Sequence, residues 1–212
     1  FGARGDGTAD DTASLQAWIS HLVTNHKRGW LPNGTYKITS GLVAPSGSDW
    51  AILGESGFAV LKQHTDNVPV LHIGDSLNPS HSVHLENFTL SYLNRQPAIN
   101  TNANCLVFEG NTTTAGDATS VYWSQFRSLI FLNGYYGMST KPGSIQPWGS
   151  EFDDLTCRYL SGGFYNGQGS ANSGTPCNQW GRCTIFCDDA VGPIFNQWMT
   201  TSTTIGTLEF LL

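Results

Sequence analysis

Acidic side chains that could work in pairs occur in two short stretches of the sequence. Paired carboxyl groups hydrolyse glycosidic bonds, one supplying a proton while the other activates water or attacks the sugar. The separation of the two groups decides the stereochemical outcome, about 5 to 5.5 Å for retention and roughly 6.5 to 9.5 Å for inversion. The candidates for such catalysis are Glu151, Asp153 and Asp154 in GSEFDDLTC, and Asp188 and Asp189 in FCDDAVG.

The residues beside the first acidic stretch predict where its carboxylates point. Side chains alternate between the two faces of a strand. If Phe152, Leu155 and Cys157 point inward, the acids between them lie on the outer face or at its turn. Neighbouring strands could then bring two carboxylates together, although aspartate also serves ordinary turns.

A lyase would need a different set of residues. It requires a cation to neutralise the carboxylate of an acidic sugar and a base to remove the α-proton. Arg158 or Arg182, together with a tyrosine or lysine, could supply this chemistry. Arg158 follows Cys157 and is therefore predicted to point outward, where a surface salt bridge with Asp153 or Asp154 is the simpler role.

The composition favours a β-rich protein that binds neutral, hydroxylated ligands. The chain has 7 Trp, 7 Tyr and 11 Phe among many Gly, Ser, Thr and Asn residues. Aromatic faces stack on sugar rings, although core packing or a subunit contact is the alternative role for each ring. The aromatic residues considered are Trp123, Tyr135, Tyr136, Trp148, Trp180 and Trp198. The predicted substrate-binding residues are Tyr136, Trp148, Trp180 and Arg158.

Charge and hydropathy exclude two classes of partner. Only 12% of the residues are charged and the net charge is -6, so a surface for nucleic acid is not expected. No apolar run approaches the 18 residues of a transmembrane helix, so we predict no membrane insertion.

No metal and no cofactor are predicted. His81 and His84 would lie on opposite faces of a strand, which argues against a metal pair. The five cysteines are spaced unevenly, and most are expected to be reduced thiols in the core. The last three could hold a metal or one disulfide, but their spacing matches no standard zinc pattern. The cysteines are Cys105, Cys157, Cys177, Cys183 and Cys187.

The opening stretch FGARGDGTADDTASLQAWI predicts a compact loop followed by one amphipathic helix. Gly2, Gly5 and Gly7 allow backbone geometry that other residues avoid. A side chain at the start of the helix should accept hydrogen bonds from its first free amides, the candidates being Asp10, Asp11 and Thr12. The helix is expected to end near His26. Its apolar stripe is Leu15, Trp18, Ile19 and Leu22.

An imperfect repeat in the remaining sequence predicts a solenoid of strands and turns. Each copy places apolar residues at similar offsets, and the copies begin at Leu85, Phe126, Phe152 and Phe195, which are 41, 26 and 43 residues apart. Such periods indicate coils that bury their apolar faces against one another. A β-sandwich is the alternative, but it would not explain one helix placed before all the strands, whereas a solenoid needs its terminal edge covered.

The stretches FGARGDGTADDTASLQAWI, LPNGTYKIT and WAILGESGFAVLKQ resemble the N-terminal cap and first coils of the pectate-lyase-like right-handed parallel β-helix superfamily, particularly of bacteriophage tailspikes. The resemblance covers residues 1 to about 63, and only the coil rhythm continues beyond. It implies an all-β parallel β-helix with an N-terminal capping α-helix. We expect residues 1–30 to form the cap and residues 31–212 the coils. GTLEFLL ends in a strand-like run, so the coils are expected to be truncated at the C-terminal end.

The same resemblance implies a function. It predicts a homotrimeric protein of the virion tail, and therefore extracellular, that binds and depolymerises bacterial surface polysaccharide such as capsule, exopolysaccharide or lipopolysaccharide. Hydrolysis of glycosidic bonds is the predicted reaction. The alternatives are a secreted pectinolytic enzyme or other polysaccharide lyase, and a noncatalytic adhesion module that binds glycan.

Overall fold

The computed structural model describes residues 1–110, 120–144, 147–165, 178–186, 195–196 and 204–211. These residues contain one helix, α1 (Thr12–Thr24), and strands that follow one another along the chain. The strands are β1 (Asp6–Asp10), β2 (Arg28–Leu31), β3 (Gly34–Ile38), β4 (Leu42–Ala44), β5 (Ala51–Gly54), β6 (Ala59–Gln63), β7 (Leu71–Ile73), β8 (Ser80–His81), β9 (His84–Glu86), β10 (Thr89–Tyr92), β11 (Leu106–Phe108), β12 (Val121–Tyr122), β13 (Gln125–Arg127), β14 (Ile130–Leu132), β15 (Tyr136–Thr140), β16 (Glu151–Asp153), β17 (Leu155–Arg158), β18 (Gly162–Tyr165), β19 (Gln179–Phe186), β20 (Phe195–Asn196) and β21 (Thr204–Leu211).

Successive strands wind through three sheets and return to the first, one coil at a time. One 13-stranded sheet has two halves, which we call sheet 1 (β2, β5, β9, β13 and β16) and sheet 2 (β1, β3, β6, β10, β14 and β17). The 6-stranded sheet 3 contains β4, β7, β11, β15, β18 and β20, and β8 pairs with β12 in a separate two-stranded sheet. The long strand β19 pairs with both β16 and β17 and so continues sheets 1 and 2, and β21 pairs with it in turn. All of these pairings are parallel. The predicted fold class, a parallel β-helix with a capping helix, is confirmed.

A column of inward-facing side chains fills the coils behind sheet 1. Leu85, Phe126, Phe152 and Trp180 occupy the same register on successive strands and are buried. The rings of Phe126 and Phe152 stack with centroids 5.1 Å apart, and those of Phe152 and Trp180 with centroids 4.4 Å apart. The predicted repeat is therefore confirmed for its first three copies. It is wrong for Phe195, which lies in β20 of sheet 3 and pairs with Phe164 of β18.

A residue with left-handed backbone geometry turns the chain between sheets 1 and 2 in three consecutive coils. These residues are Asn87, Ser128 and Asp154, with φ of 65°, 48° and 51°. Asn and Asp tolerate this conformation better than most residues because their short side chains hydrogen-bond locally. One residue is enough to change the direction of the chain, so each outward side chain at the end of a sheet 1 strand lies next to this corner.

The N-terminal cap follows the predicted outline with one correction, the strand in place of the predicted loop. Gly2, Gly5 and Gly7 have positive φ, but Asp6–Asp10 forms strand β1 on β3 instead of remaining a loop. Asp11 precedes the helix without capping it, because its buried carboxylate accepts hydrogen bonds from the backbone of Arg4 and Gly5 at 2.8 and 3.0 Å. Asp10 takes the capping role by accepting a 3.0 Å hydrogen bond from the amide of Thr12.

Helix α1 covers the first coil with the predicted apolar stripe. Leu15, Ile19 and Leu22 are buried, Trp18 packs partly buried against the same core, and the helix ends at Thr24. Because these residues share one core with the coils, the division of the chain near residue 30 stays a prediction. Within the described ranges, α1 is too short to span a bilayer.

Three cysteines lie in the core as reduced thiols, as predicted. Cys105, Cys157 and Cys183 are all buried. Burial raises the pKa of Cys183 to about 12, so this side chain is an unreactive thiol at neutral pH. Cys177 and Cys187 lie outside the described residues, and the state of that cluster stays a prediction.

Candidate functional site

The outer face of sheet 1 gathers polar side chains from four coils. His84, Gln125, Glu151 and Gln179 share one register position on neighbouring strands. Glu86, Arg127 and Asp153 share the position two residues further along. Strands in a sheet lie about 4.8 Å apart, so side chains that are distant in sequence become neighbours on this face.

Two adjoining cavities run along this face and form what we call the outer groove. Their volumes are about 250 and about 280 Å³, and both are lined by Trp123 and Gln125. The first also contacts Arg28 and His84, and the second contacts Glu151 and Gln179. An elongated polar groove with an aromatic wall suits a chain of sugar rings.

Glu151 lies in the wall of the outer groove as an ion-paired carboxylate. Nη2 of Arg127 is 2.6 Å from both Oε1 and Oε2, and Nε2 of Gln125 donates to Oε2 at 3.2 Å. The hydrogen bond to Glu151 is the main reason that the pKa of Arg127 is raised. Charge-assisted hydrogen bonds of this kind are stronger than neutral ones, and a carboxylate is a group that can act as a base or nucleophile.

Asp153 lies on the same face of β16, two residues beyond Glu151. Its Oδ1 accepts backbone hydrogen bonds from Asp154 at 2.9 Å and Arg182 at 3.0 Å. Within the described part of the chain no hydrogen bond reaches its Oδ2. At a rise of about 3.3 Å per residue, the Cα atoms of Glu151 and Asp153 are about 6.6 Å apart.

Asp154 occupies the left-handed corner between sheets 1 and 2. Its Oδ2 accepts a 3.0 Å hydrogen bond from Oγ of Ser128 at the preceding corner. Its Oδ1 accepts hydrogen bonds from Nε, at 3.0 Å, and Nη2 of Arg182. These hydrogen bonds hold Asp154 at the corner between neighbouring coils. Asp154 therefore has a structural role there, whereas Glu151 lies in the wall of the groove. The other two predicted acids, Asp188 and Asp189, lie outside the described residues.

An aromatic ladder borders the outer groove at the corner that leads into sheet 1. The rings of His81 and Tyr122 stack with centroids 5.1 Å apart, and those of Tyr122 and Trp148 with centroids 4.9 Å apart. Trp123 packs edge-on against Tyr122 and Trp148 and is 63% exposed. The predicted residue Trp148 thus supports the wall of the groove, and Trp123 presents the surface.

The other predicted binding residues lie away from the outer groove. The prediction that Trp180 binds substrate is wrong. Its side chain is 2% exposed and stacks inward on Phe152, where no surface ligand reaches it. Tyr136 is nearly buried and borders a different cavity, on sheet 3. Arg158 is exposed at the end of β17 on sheet 2. The acids and the predicted binding residues are therefore distributed over three sheets.

Residues that sequence reasoning did not select complete the groove. Gln125, Arg127 and Gln179 meet Glu151 only because their strands are in register. The sequence feature that could have predicted them is the alignment of Phe126, Phe152 and Trp180. This alignment places the residue before each of them in one outward-facing column. Among the described residues, no three His, Cys, Asp or Glu side chains are grouped as a metal site would need.

A family model described as rhamnogalacturonase A/epimerase, pectate lyase-like, matches residues 1–167, which is more than half of the chain. The chain belongs to this family. This pectate lyase-like chain is 30% identical over 172 residues to Depolymerase 1, capsule K30/K69-specific, of Klebsiella phage K5-2, a match that covers 76% of the chain and 21% of the relative. It is 32% identical over 79 residues to a glucan 1,3-beta-glucosidase of Cochliobolus carbonum, covering 34% of the chain and 10% of that relative.

A solved structure supports the fold of this pectate lyase-like chain. ORF18 of Geobacillus virus E2 superimposes with a TM-score of 0.54 at 16% sequence identity. The match covers 88% of this chain and 40% of the viral protein. At this identity the likeness concerns the fold alone. The matches thus span 21% and 10% of the two relatives compared by sequence, and less than half of the viral structure.

Proposed function

We propose that this chain is part of a phage depolymerase that binds bacterial surface polysaccharide and hydrolyses its glycosidic bonds in the outer groove. The observation that carries the proposal is the ion-paired carboxylate of Glu151 beside the exposed ring of Trp123. The capsule-specific depolymerase of a Klebsiella phage, whose similarity extends over most of this chain, supports the substrate class.

The arrangement on β16 supports a division of roles between two acids. Glu151, which forms an ion pair with Arg127, acts as the general base that activates the attacking water. Asp153 donates a proton to the leaving oxygen through Oδ2, which accepts no hydrogen bond from the described residues. Asp154, Asp188 and Asp189 are alternative partners for Glu151.

The product of the reaction tests this proposal. The full-length protein is incubated with a panel of purified bacterial polysaccharides and polygalacturonate, and the fragments are weighed by mass spectrometry. Hydrolysis adds the mass of water to each cleavage and leaves no double bond. Fragments with an unsaturated end would establish a lyase instead, and binding without new ends would establish an adhesion module.

We also propose that the protein acts as a homotrimer in the virion tail, outside the cell. The sequence similarity to a phage depolymerase supports the virion location, and the trimer is the expectation from the resemblance to tailspikes. Light scattering after size-exclusion chromatography of the full-length protein measures the subunit number. A monomeric mass would contradict the proposed assembly without affecting the proposed chemistry.

A further inference from the structure

A second cleft, lined by both polar and apolar side chains, lies on sheet 3, away from the outer groove. It consists of two adjoining cavities of about 300 and about 370 Å³. The first extends to the rings of Tyr135 and Tyr136, and the second to the side chains of His72 and Lys141. The residues common to both are Asn102, Asn104, Ser139, Thr140 and Pro142.

Three titratable side chains form a connected cluster at one end of this cleft. The carboxylate of Glu109, only 12% exposed, lies between His72 Nε2 at 2.9 Å and Lys141 Nζ at 2.6 Å. The His72 contact has an ion-pair distance without the alignment of a hydrogen bond. Burial lowers the pKa of His72, so the ring is neutral at pH 7 and the cluster carries no net charge.

Amide side chains line the middle of the cleft in fixed positions. Oδ1 of Asn67 accepts the backbone amide of Asn102 at 2.9 Å. Asn104 accepts the backbone amide of Tyr136 at 3.2 Å and donates to the carbonyl of Thr101 at 3.2 Å. Binding a ligand here therefore costs little ordering of these side chains, since their own hydrogen bonds already hold them.

We infer that this cleft is a second saccharide site, which binds an uncharged stretch of oligosaccharide. His72, Lys141 and the amides offer hydrogen-bond donors and acceptors to hydroxyl groups, and Glu109 holds the first two in place from behind. The rings of Tyr135 and Tyr136 close the far end. An anionic sugar is disfavoured because the amine of Lys141 is already neutralised by Glu109. The choice of a saccharide as the ligand rests on the proposed function. The inference requires no catalysis at this cleft.

The decisive experiment first disables the outer groove. Full-length W123A/E151Q protein is applied to an array printed with neutral and uronic-acid-containing bacterial oligosaccharides. We expect retained binding of neutral oligosaccharides, because the cleft on sheet 3 is intact. Adding Glu109→Gln should weaken that binding at least tenfold, whereas adding Glu86→Gln, an ion-paired glutamate on sheet 1, should leave it unchanged.

A second variant that blocks the cleft distinguishes a loss of binding from a folding defect. Asn102 is exposed and lines both cavities, so Asn102→Trp fills the cleft without altering the core. It should weaken binding as strongly as Glu109→Gln at an unchanged melting temperature. The inference is overturned if the W123A/E151Q protein binds no neutral oligosaccharide, binds only acidic ones, or is unaffected by Asn102→Trp. Depolymerisation by the wild-type protein is measured separately, so that a failure of the proposed function can be distinguished from a failure of this inference.

Discussion

Nη2 of Arg127 lies 2.6 Å from both carboxylate oxygens of Glu151, although the two residues belong to successive coils. Arg127 is level with Asp153 in the strand register, and Glu151 is level with Gln125, so the ion pair crosses diagonally between the two columns. The pair is partly buried, with 39% of the Arg127 side chain and 27% of the Glu151 side chain exposed. The neighbouring coil thus supplies the charged partner of the principal candidate for catalysis.

Replacing Glu151 by glutamine should remove depolymerase activity. The amide cannot accept a proton from water, and general-base contributions of this kind are worth about 10²- to 10⁴-fold in rate. Release of new reducing ends from the susceptible polysaccharide measures the loss. Glu86→Gln is the matched control, because Glu86 pairs with His84 on the same face but does not line the outer groove. Full turnover by E151Q would refute the assignment.

Trp123 should contribute to polysaccharide affinity more than to the chemical step. Trp123→Ala removes the aromatic wall shared by both cavities of the outer groove. We expect KM to rise about tenfold, equivalent to about 1.4 kcal/mol, with a smaller change in kcat. Trp30→Ala is the control, since Trp30 is 59% exposed on sheet 1 but lies outside the groove. Equal effects of the two variants would contradict a specific role for Trp123.

The aromatic stack behind sheet 1 should be a main source of stability. Phe152 packs between Phe126 and Trp180, so Phe152→Ala leaves a cavity between two coils. The expected loss is about 3 to 5 kcal/mol in the free energy of unfolding, measured by urea denaturation. Phe58→Ala, at a side chain that is 78% exposed, should change it by less than about 0.5 kcal/mol. A loss below about 1 kcal/mol for F152A would show that the stack contributes little.

Stability should fall as the pH drops through about 6.5, the ordinary pKa of histidine. Burial lowers the pKa of His72 and of His64 in the folded protein. As the pH falls, the unfolded chain therefore binds protons at these histidines before the folded chain does, which favours unfolding. Glu109 opposes the shift of His72, and Lys141 adds to it.

The melting temperature, measured between pH 7.5 and 5.5, checks this prediction. His72→Gln should flatten the dependence, and His64→Gln should flatten it further, because each substitution removes one group that protonates only on unfolding. Parallel curves for the wild type and H72Q would contradict the part assigned to His72.

The sequence by itself determined the cap and the coil. The spacing of Leu15, Ile19 and Leu22 is a local helical period, and the inward positions of Phe152, Leu155 and Cys157 follow from the alternation of a strand. Both patterns are set by neighbouring residues, so they can be predicted without knowledge of the fold. They were enough to predict that Glu151 and Asp153 face outward.

Only the tertiary structure decided which residues surround Glu151 and which aromatic rings are available to a ligand. Gln125 and Arg127 come from the preceding coil, and the length of each connection varies too much for their register to be counted along the chain. Trp123 and Trp180 are the same residue type, yet one is 63% exposed at a left-handed corner and the other is 2% exposed in the core. The physical reason is that register between coils depends on packing of distant side chains in the core, which local sequence patterns do not encode.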